Sequence, residues 1–197
     1  MYYGDEQIDK YILEIFKDFK GIMIETGAGP TSLYSMSKAF RESGWRTICV
    51  DANPYYVDLH KAEGNEIYQY ALSNEILYDQ DFEIINPDTE EQLAGSALKL
   101  RNKNLTNAFK NIIKVDVVTL NWLLQSLDIS KIDYVSIDVE GWEIEVMKGF
   151  DTQKYKPKVI VLENFLDENS YPAYMQSIGY TFLKKIYFND IYTNEKY

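Results

Sequence analysis

Apolar positions along this chain switch between two periods, and the switching lays out its elements. Residues 5–19 carry Ile8, Ile12, Ile15, Phe16 and Phe19 on one helical face. Gly21 breaks that pattern, and 22–26 (Ile-Met-Ile-Glu-Thr) predicts a short buried strand. After a turn at 27–30, Leu33, Met36, Ala39 and Phe40 recur at helical spacing over 31–43. Pro30 suits the start of that helix, Thr31 or Ser32 its cap, and Gly44 its end. A strand at 46–51, a helix at 54–62 and a strand at 66–72 continue the rhythm. It resumes with a helix at 119–127, striped by Leu120, Leu123, Leu124 and Leu127. A fourth strand follows at 132–138, a helix at 142–148, a fifth strand at 158–163 and a helix at 170–178. The tail, 180–197, predicts two strands about Asn189-Asp190, an antiparallel hairpin at a sheet edge.

Alternating strands and helices predict a parallel sheet of the α/β class. The unbroken apolar run from Val159 to Leu162 fits a strand buried on both faces. Residues 73–114 interrupt this order, acidic at first (Glu75, Asp79, Asp81, Glu83, Asp88, Glu90, Glu91) and basic later (Lys99, Arg101, Lys103, Lys110, Lys114). That stretch is too long for an ordinary loop, so it carries its own structure or serves as a lid. With no repeat or linker, residues 1–197 read as one domain, comprising an N-terminal helix (1–20), this insertion and the alternating core.

Composition narrows the possibilities. The 46% hydrophobic content, with 17 Tyr, 9 Phe and 3 Trp, excludes a disordered chain. Lys and Arg total 20 against 31 Asp and Glu, a net charge of −11 that repels phosphate backbones, so no nucleic-acid partner is expected. The lone cysteine, Cys49, lies in an apolar run and excludes an intrachain disulfide or a cysteine metal cluster. No run reaches the ~18 apolar residues of a membrane span. The first residues lack the basic start and apolar run of a signal peptide. A cytoplasmic protein without a membrane partner is the expectation, as monomer or homodimer.

In open α/β sheets, ligands bind outside the carboxyl ends of the strands, where strand order reverses. That rule nominates 25–29, Asp51, 71–73, 138–141 and Glu163-Asn164. Gly27-Ala28-Gly29 permits a tight turn with close backbone approach to a ligand, although such a turn alone is as readily structural. Asp51 follows Gly27 by 24 positions, near the spacing of about twenty at which a strand-end carboxylate accepts ribose hydroxyls; it also suits a helix cap.

The run 136–149, Ser-Ile-Asp-Val-Glu-Gly-Trp-Glu-Ile-Glu-Val-Met-Lys-Gly, resembles the FkbM family of methyltransferases. Asp138, Val139, Glu140, Gly141, Glu143, Lys148 and Gly149 match its hallmark. Glu25-Thr26-Gly27-Ala28 stands where the family has Asp-Val-Gly-Ala, and Asp51-Ala52-Asn53-Pro54 is similar to its acidic-x-Asn-Pro segment. Tyr70-Ala71-Leu72-Ser73, Thr119-Leu120 and Val161-Leu162-Glu163 also fit. Two departures stand out: Ser136 replaces a common Lys, and Gly29-Pro30-Thr31 a common Asn-x-Gly.

The resemblance implies a Rossmann-like class I methyltransferase fold, a mostly parallel seven-stranded sheet flanked by helices. It further implies S-adenosylmethionine as donor and O-methylation of a hydroxyl on a small molecule or sugar. Matched segments and strand ends together give the cofactor set: Glu25, Gly27, Ala28, Gly29, Ser32, Asp51, Ala52, Asn53, Ala71, Leu72 and Asp138. Methyl transfer to a hydroxyl needs a base, sought at Asp138, Glu163 and Glu140. Tyr55 and Tyr56 flank the ribose segment and are candidates to stack on adenine. His60, the only histidine, falls in a helix away from the strand ends, at the surface or partly buried. Asp138 with Glu163-Asn164 also resembles the Mg²⁺ placement of catechol-type O-methyltransferases, but the FkbM resemblance brings no metal and none is included. Ser32, where a dinucleotide fold wants its third glycine, disfavours a nicotinamide-dependent oxidoreductase. A catalytically inactive binding protein has the missing Lys at 136 as its one support.

Overall fold

The computed structural model describes residues 1–84, 97–98 and 111–195, with side chains throughout except at 97–98. After a single 3₁₀ turn (Asp5–Gln7) come α1 (Ile8–Phe16), β1 (Ile22–Thr26), α2 (Lys38–Glu42), β2 (Arg46–Asp51), α3 (Pro54–Ala62), β3 (Ile67–Gln69) and β4 (Ala71–Leu72). Next are β5 (Leu77–Ile84), β6 (Ala97–Leu98), β7 (Asn111–Val118), α4 (Leu120–Ser126), β8 (Tyr134–Ile137) and α5 (Glu143–Lys148). The chain closes with α6 (Thr152–Tyr155), β9 (Val159–Glu163), α7 (Ser170–Ser177), β10 (Thr181–Ile186) and β11 (Asn189–Thr193).

Seven strands form the central sheet in the order β10-β11-β9-β8-β1-β2-β3, parallel except for β11, which runs against both neighbours. Strand order reverses at β1, which pairs with β2 on one side and β8 on the other. Side chains alternate across a strand, and each face finds helices to cover it. Ile24, Ile48, Val135, Ile137, Ile160 and Leu162 pack against Leu120, Leu123 and Leu124 of α4, Val146 and Met147 of α5, and Met175 of α7. On the other face Met23, Tyr134, Val159, Val161 and Ile191 meet Ile8, Ile12 and Phe16 of α1 and Phe40 of α2. Each fully buried aliphatic side chain contributes roughly 2 kcal/mol. The α/β expectation holds, and β1, β2 and α3 fall at the residues their patterns marked.

Four expectations are corrected. The first helix stops at Phe16, because Lys17 takes φ 54°; Phe19 lies outside it, its ring against Phe16 and Trp45. The helix over 31–43 shortens to α2, and neither Thr31 nor Ser32 caps it. Residues before it hold a turn because the Glu25 carboxylate accepts from the amides of Met36 (2.6 Å) and Ser37 (3.2 Å), and Ser35 Oγ from that of Lys38. The third strand breaks at Tyr70: β3 pairs with β2, while β4 leaves to pair with β7 in a second sheet ordered β4-β7-β5-β6. In the tail the turn is Tyr187-Phe188, and Asn189-Asp190 opens β11.

The insertion carries its own structure where it is described, since β5 and β7 form an antiparallel pair. Phe82, Val115 and Val117 of that pair pack with Ala71 and Ala52 in a small satellite core. Its remaining charged run (Asp88, Glu90, Glu91, Lys99, Arg101, Lys103, Lys110) lies outside the described residues. No described helix is long and apolar enough to cross a membrane.

Candidate active site

A cavity of about 660 Å³ opens at the carboxyl ends of β1, β2, β8 and β9, within the range of small-molecule sites. Its walls bring together most of the residues the sequence nominated: Gly27, Ala28 and Gly29; Asp51 and Ala52; Ala71 and Leu72; Asp138, Glu140 and Glu163. Thr26 and Val139 line it as well.

Gly27 (φ +70°) and Gly29 (φ +56°) both take left-handed backbone. At Gly27 the demand is doubled, because a Cβ there would sit 1.6 Å from the Asp138 carbonyl oxygen. The turn is tied to β2 through the amides of Gly27 and Ala28, which donate to Val50 O at 2.9 and 3.2 Å. It is tied to β8 where Asp138 N donates to Thr26 O at 3.0 Å. His60 supports it from below. It is fully buried, not at the surface: Nε2 donates to the Gly29 carbonyl at 3.1 Å and Nδ1 accepts from Asn65 at 3.3 Å, the tautomer this pair of contacts selects. Burial lowers its pKa, keeping the ring neutral.

Asp51 reaches back to the same turn. Its Oδ2 accepts from Gly29 N at 2.9 Å and its Oδ1 from Asn53 N at 2.7 Å. Burial pushes its pKa up to about 6 against the pull of those amides. Asn53 therefore stands outside the cavity wall. Its amide holds Asp51, and its side chain caps α3 by accepting from Tyr55 N at 3.0 Å. Of the two tyrosines there, Tyr56 lines the cavity and Tyr55 faces solvent.

Two further nominees are not brought in. Alternation along β1 turns Glu25 away from the cavity, onto the amides of Met36 and Ser37, and burial pushes its pKa up to about 7. Ser32 is exposed on the outside of the turn.

Asp138 lines the cavity, where it is exposed. Burial, then the neighbouring charge of Glu163, hold it well above the usual carboxylate range, with a hydrogen bond joining the two. The loop carrying Asp138 is fixed by Glu143, which sequence reasoning passed over except as a motif match. Fully buried, its Oε1 accepts from Val139 N (3.0 Å) and Gly141 N (2.9 Å), and its Oε2 from the Tyr171 hydroxyl. Trp142 lines the cavity and donates to Ser73 Oγ at 3.0 Å, joining this loop to β4. Gly149 closes α5 where a Cβ would meet Ser73 O at 2.3 Å, a physical reason for the motif's terminal glycine.

Carboxylate oxygens of Asp138, Glu143 and Glu163 lie within 4.8 Å of one another. Glu143 is already engaged by three donors. Asn164 spends its amide on Asp190 Oδ2 (2.8 Å) and the Glu168 backbone, so the Glu163-Asn164 metal pair is not assembled.

Further residues on the wall went unforeseen: Asp5 and Glu6 from the 3₁₀ turn, and a rim of Leu33, Tyr34, Phe165, Tyr187 and Phe188. Phe165 and the Tyr187-Phe188 pair, in loops just beyond strand runs, were the available signal. Among the described lining residues there are six carboxylates and no Lys, Arg or His.

The methyltransferase FkbM domain matches residues 25–182, which span the glycine turn, Asp51, the Asp138 loop and Glu163. No curated protein matches the chain closely. With the match covering most of its length and the glycine turn, Asp51, the Asp138 loop and Glu163 of the cavity, the chain belongs to the FkbM methyltransferase family.

Proposed function

We propose that the protein transfers a methyl group from S-adenosylmethionine to a hydroxyl of a small molecule or glycan. The observation that carries this reading is the joining of two half-sites in one cavity. The Gly27–Gly29 turn and Asp51 lie on one side, the Asp138–Glu163 pair on the other.

The residues present fit the donor. Asp51 suits the ribose hydroxyls, Ala52, Tyr56, Ala71 and Leu72 an adenine ring, and the glycine turn a closely approaching chain. Bound S-adenosylmethionine supplies an electrophilic methyl on a positive sulfonium, which an acidic wall favours. Neighbouring carboxyls joined by a hydrogen bond do not both ionise easily, and Asp138, held well above the usual carboxylate range, is the one that keeps its proton longer than an ordinary carboxyl. The ionised member of the pair accepts the hydroxyl proton. Glu143 and Tyr171 do not touch the acceptor; they hold the Asp138 loop in register.

A nicotinamide cofactor is disfavoured. After the glycine turn the chain stays in turns until Lys38, so no helix N-terminus is offered to a pyrophosphate there. Ser136, in place of the common Lys, is buried in β8 and does not line the cavity, which weakens the inactive reading.

Thermal shift with S-adenosylmethionine, S-adenosylhomocysteine and NAD tests the proposal. The expected result is a rise of several degrees with the first two and none with NAD. Stabilisation by NAD alone would overturn it. Affinity for S-adenosylhomocysteine should also fall as pH drops through about 6, because hydroxyl donors favour the ionised Asp51.

A further inference from the structure

The cavity rim on the β9 side is built, not incidental. Phe165 follows Glu163 by two residues, and its ring meets that of Phe188 at 4.7 Å; Phe188 in turn meets Tyr187 at 3.8 Å. The buried Asn164 locks this group to the strand that carries Glu163. Its amide N donates to Phe188 O at 2.7 Å, its side chain to Asp190 Oδ2 at 2.8 Å, and its carbonyl accepts from Lys185 Nζ at 3.1 Å. Tyr34 faces the cavity from the β1 turn.

Two of these side chains are held at a cost. Tyr34 (φ 61°) and Tyr187 (φ 53°) occupy left-handed backbone, worth about 1–2 kcal/mol of strain each. Tyr34 is 61% exposed, Phe165 60% and Tyr187 55%. Clustered exposed rings beside a cavity mark a binding surface. Sheet order separates them from the nucleoside half-site: Asp51 and Ala52 lie on the β2 side of β1, whereas Phe165, Tyr187 and Phe188 lie on the β9 and β11 side.

Resting on the methyl-donor reading above, we propose that Tyr34, Phe165, Tyr187 and Phe188 form the acceptor subsite, and that the acceptor is an uncharged phenol. Its ring lies on theirs and its hydroxyl reaches Glu163 and Asp138. Offset and edge-to-face ring contacts favour a flat aromatic partner. The carboxylate wall, with no basic side chain among the described lining residues, repels an anionic one. Phenolic protons, with a pKa near 10, lie several units closer to a carboxylate base than those of aliphatic alcohols. In the step the phenolic O–H bond breaks to the carboxylate and the oxygen pair forms the new O–CH₃ bond. The electron pair of the broken S–CH₃ bond stays on sulfur, leaving a neutral thioether.

Calorimetric titration of 2-naphthol, methyl α-D-glucopyranoside and 2-naphthoate into the full chain saturated with S-adenosylhomocysteine tests this. 2-Naphthol should bind at least about tenfold more tightly than either rival. Combining Phe165→Leu with Tyr187→Gly, which keeps apolar volume at one position and relaxes the backbone at the other, should weaken 2-naphthol about tenfold. Affinity for S-adenosylhomocysteine should stay within about twofold. Should the pair fail to fold, Phe165→Leu alone should cost about threefold. Preference for the glucoside, equal binding of naphthoate, or unchanged 2-naphthol affinity in the variant used would overturn the subsite. Absence of S-adenosylhomocysteine binding to the unmodified chain would instead sink the methyl-donor reading, and 2-naphthol titrated into the free protein would still decide the subsite.

Discussion

Two turns meet in the cavity, one after β1 and one after β8, and a buried glutamate holds each from the opposite end. Glu25 precedes its turn and grips the far side, at Met36 and Ser37, so the middle of a wide loop with Leu33 and Tyr34 is left in solvent. Glu143 follows its turn and grips Val139 and Gly141 within a few residues, with Tyr171 as a third donor. The narrow turn therefore fixes the carboxyl proposed as part of the base, while the wide one leaves Leu33 and Tyr34 exposed at the cavity. Gly27 is where they touch, against the Asp138 carbonyl.

Gly27→Val should break both turns at once. Its side chain enters the space of the Asp138 backbone in a conformation that β-branched residues avoid, so S-adenosylhomocysteine affinity should fall by more than about 100-fold and stability by about 3 kcal/mol or more. Calorimetry and thermal melts check both parts. Neutralising the narrow turn's carboxyl or its partner, as Asp138→Asn or Glu163→Gln, should cut single-turnover methyl transfer by ~10²–10⁴-fold. S-adenosylhomocysteine affinity should change less for Glu163→Gln than for Asp138→Asn.

The clamps themselves give smaller effects. Glu143→Gln replaces an acceptor oxygen with an amide facing other donors, and should cost about 2–3 kcal/mol in chemical denaturation. Glu25 behaves differently because its folded pKa, about 7, lies above the unfolded 4.5. The folded state then binds the proton more tightly, so stability is greatest below about pH 4.5 for this group and is lost as pH rises towards 7. Asp51, raised from 3.8 to about 6, acts in the same direction. Glu25→Gln should flatten that slope by on the order of 1 kcal/mol across pH 5–8 in denaturation of the unliganded protein.

The same contrast explains what was legible in the sequence. Apolar runs placed the strands, and the strand-end rule led from them to Asp51, Asp138 and Glu163, because these depend on local pattern. Leu33 and Met36 share helical spacing with Phe40, yet before Lys38 the chain is held in turns by a carboxylate some ten residues upstream. Ala71 and Leu72 read on from β3, but their pairing with Val117 and Val118 is a long-range choice. His60 and Glu143 were readable as residue types; their partners, Gly29 O and the amides of the Asp138 loop, become neighbours only once the sheet is assembled. The aromatic rim was missed for the same reason, since β9 and the β10–β11 turn converge only in three dimensions.

Calorimetric titration of S-adenosylhomocysteine into the unmodified chain and into Asp51→Ala tests the central claim, a nucleoside methyl donor held at the strand ends. The account predicts binding to the former and a loss of about 1–3 kcal/mol in the latter, the cost of leaving ribose hydroxyls unpaired. Equal affinity in the two proteins, or no binding to either, would contradict it.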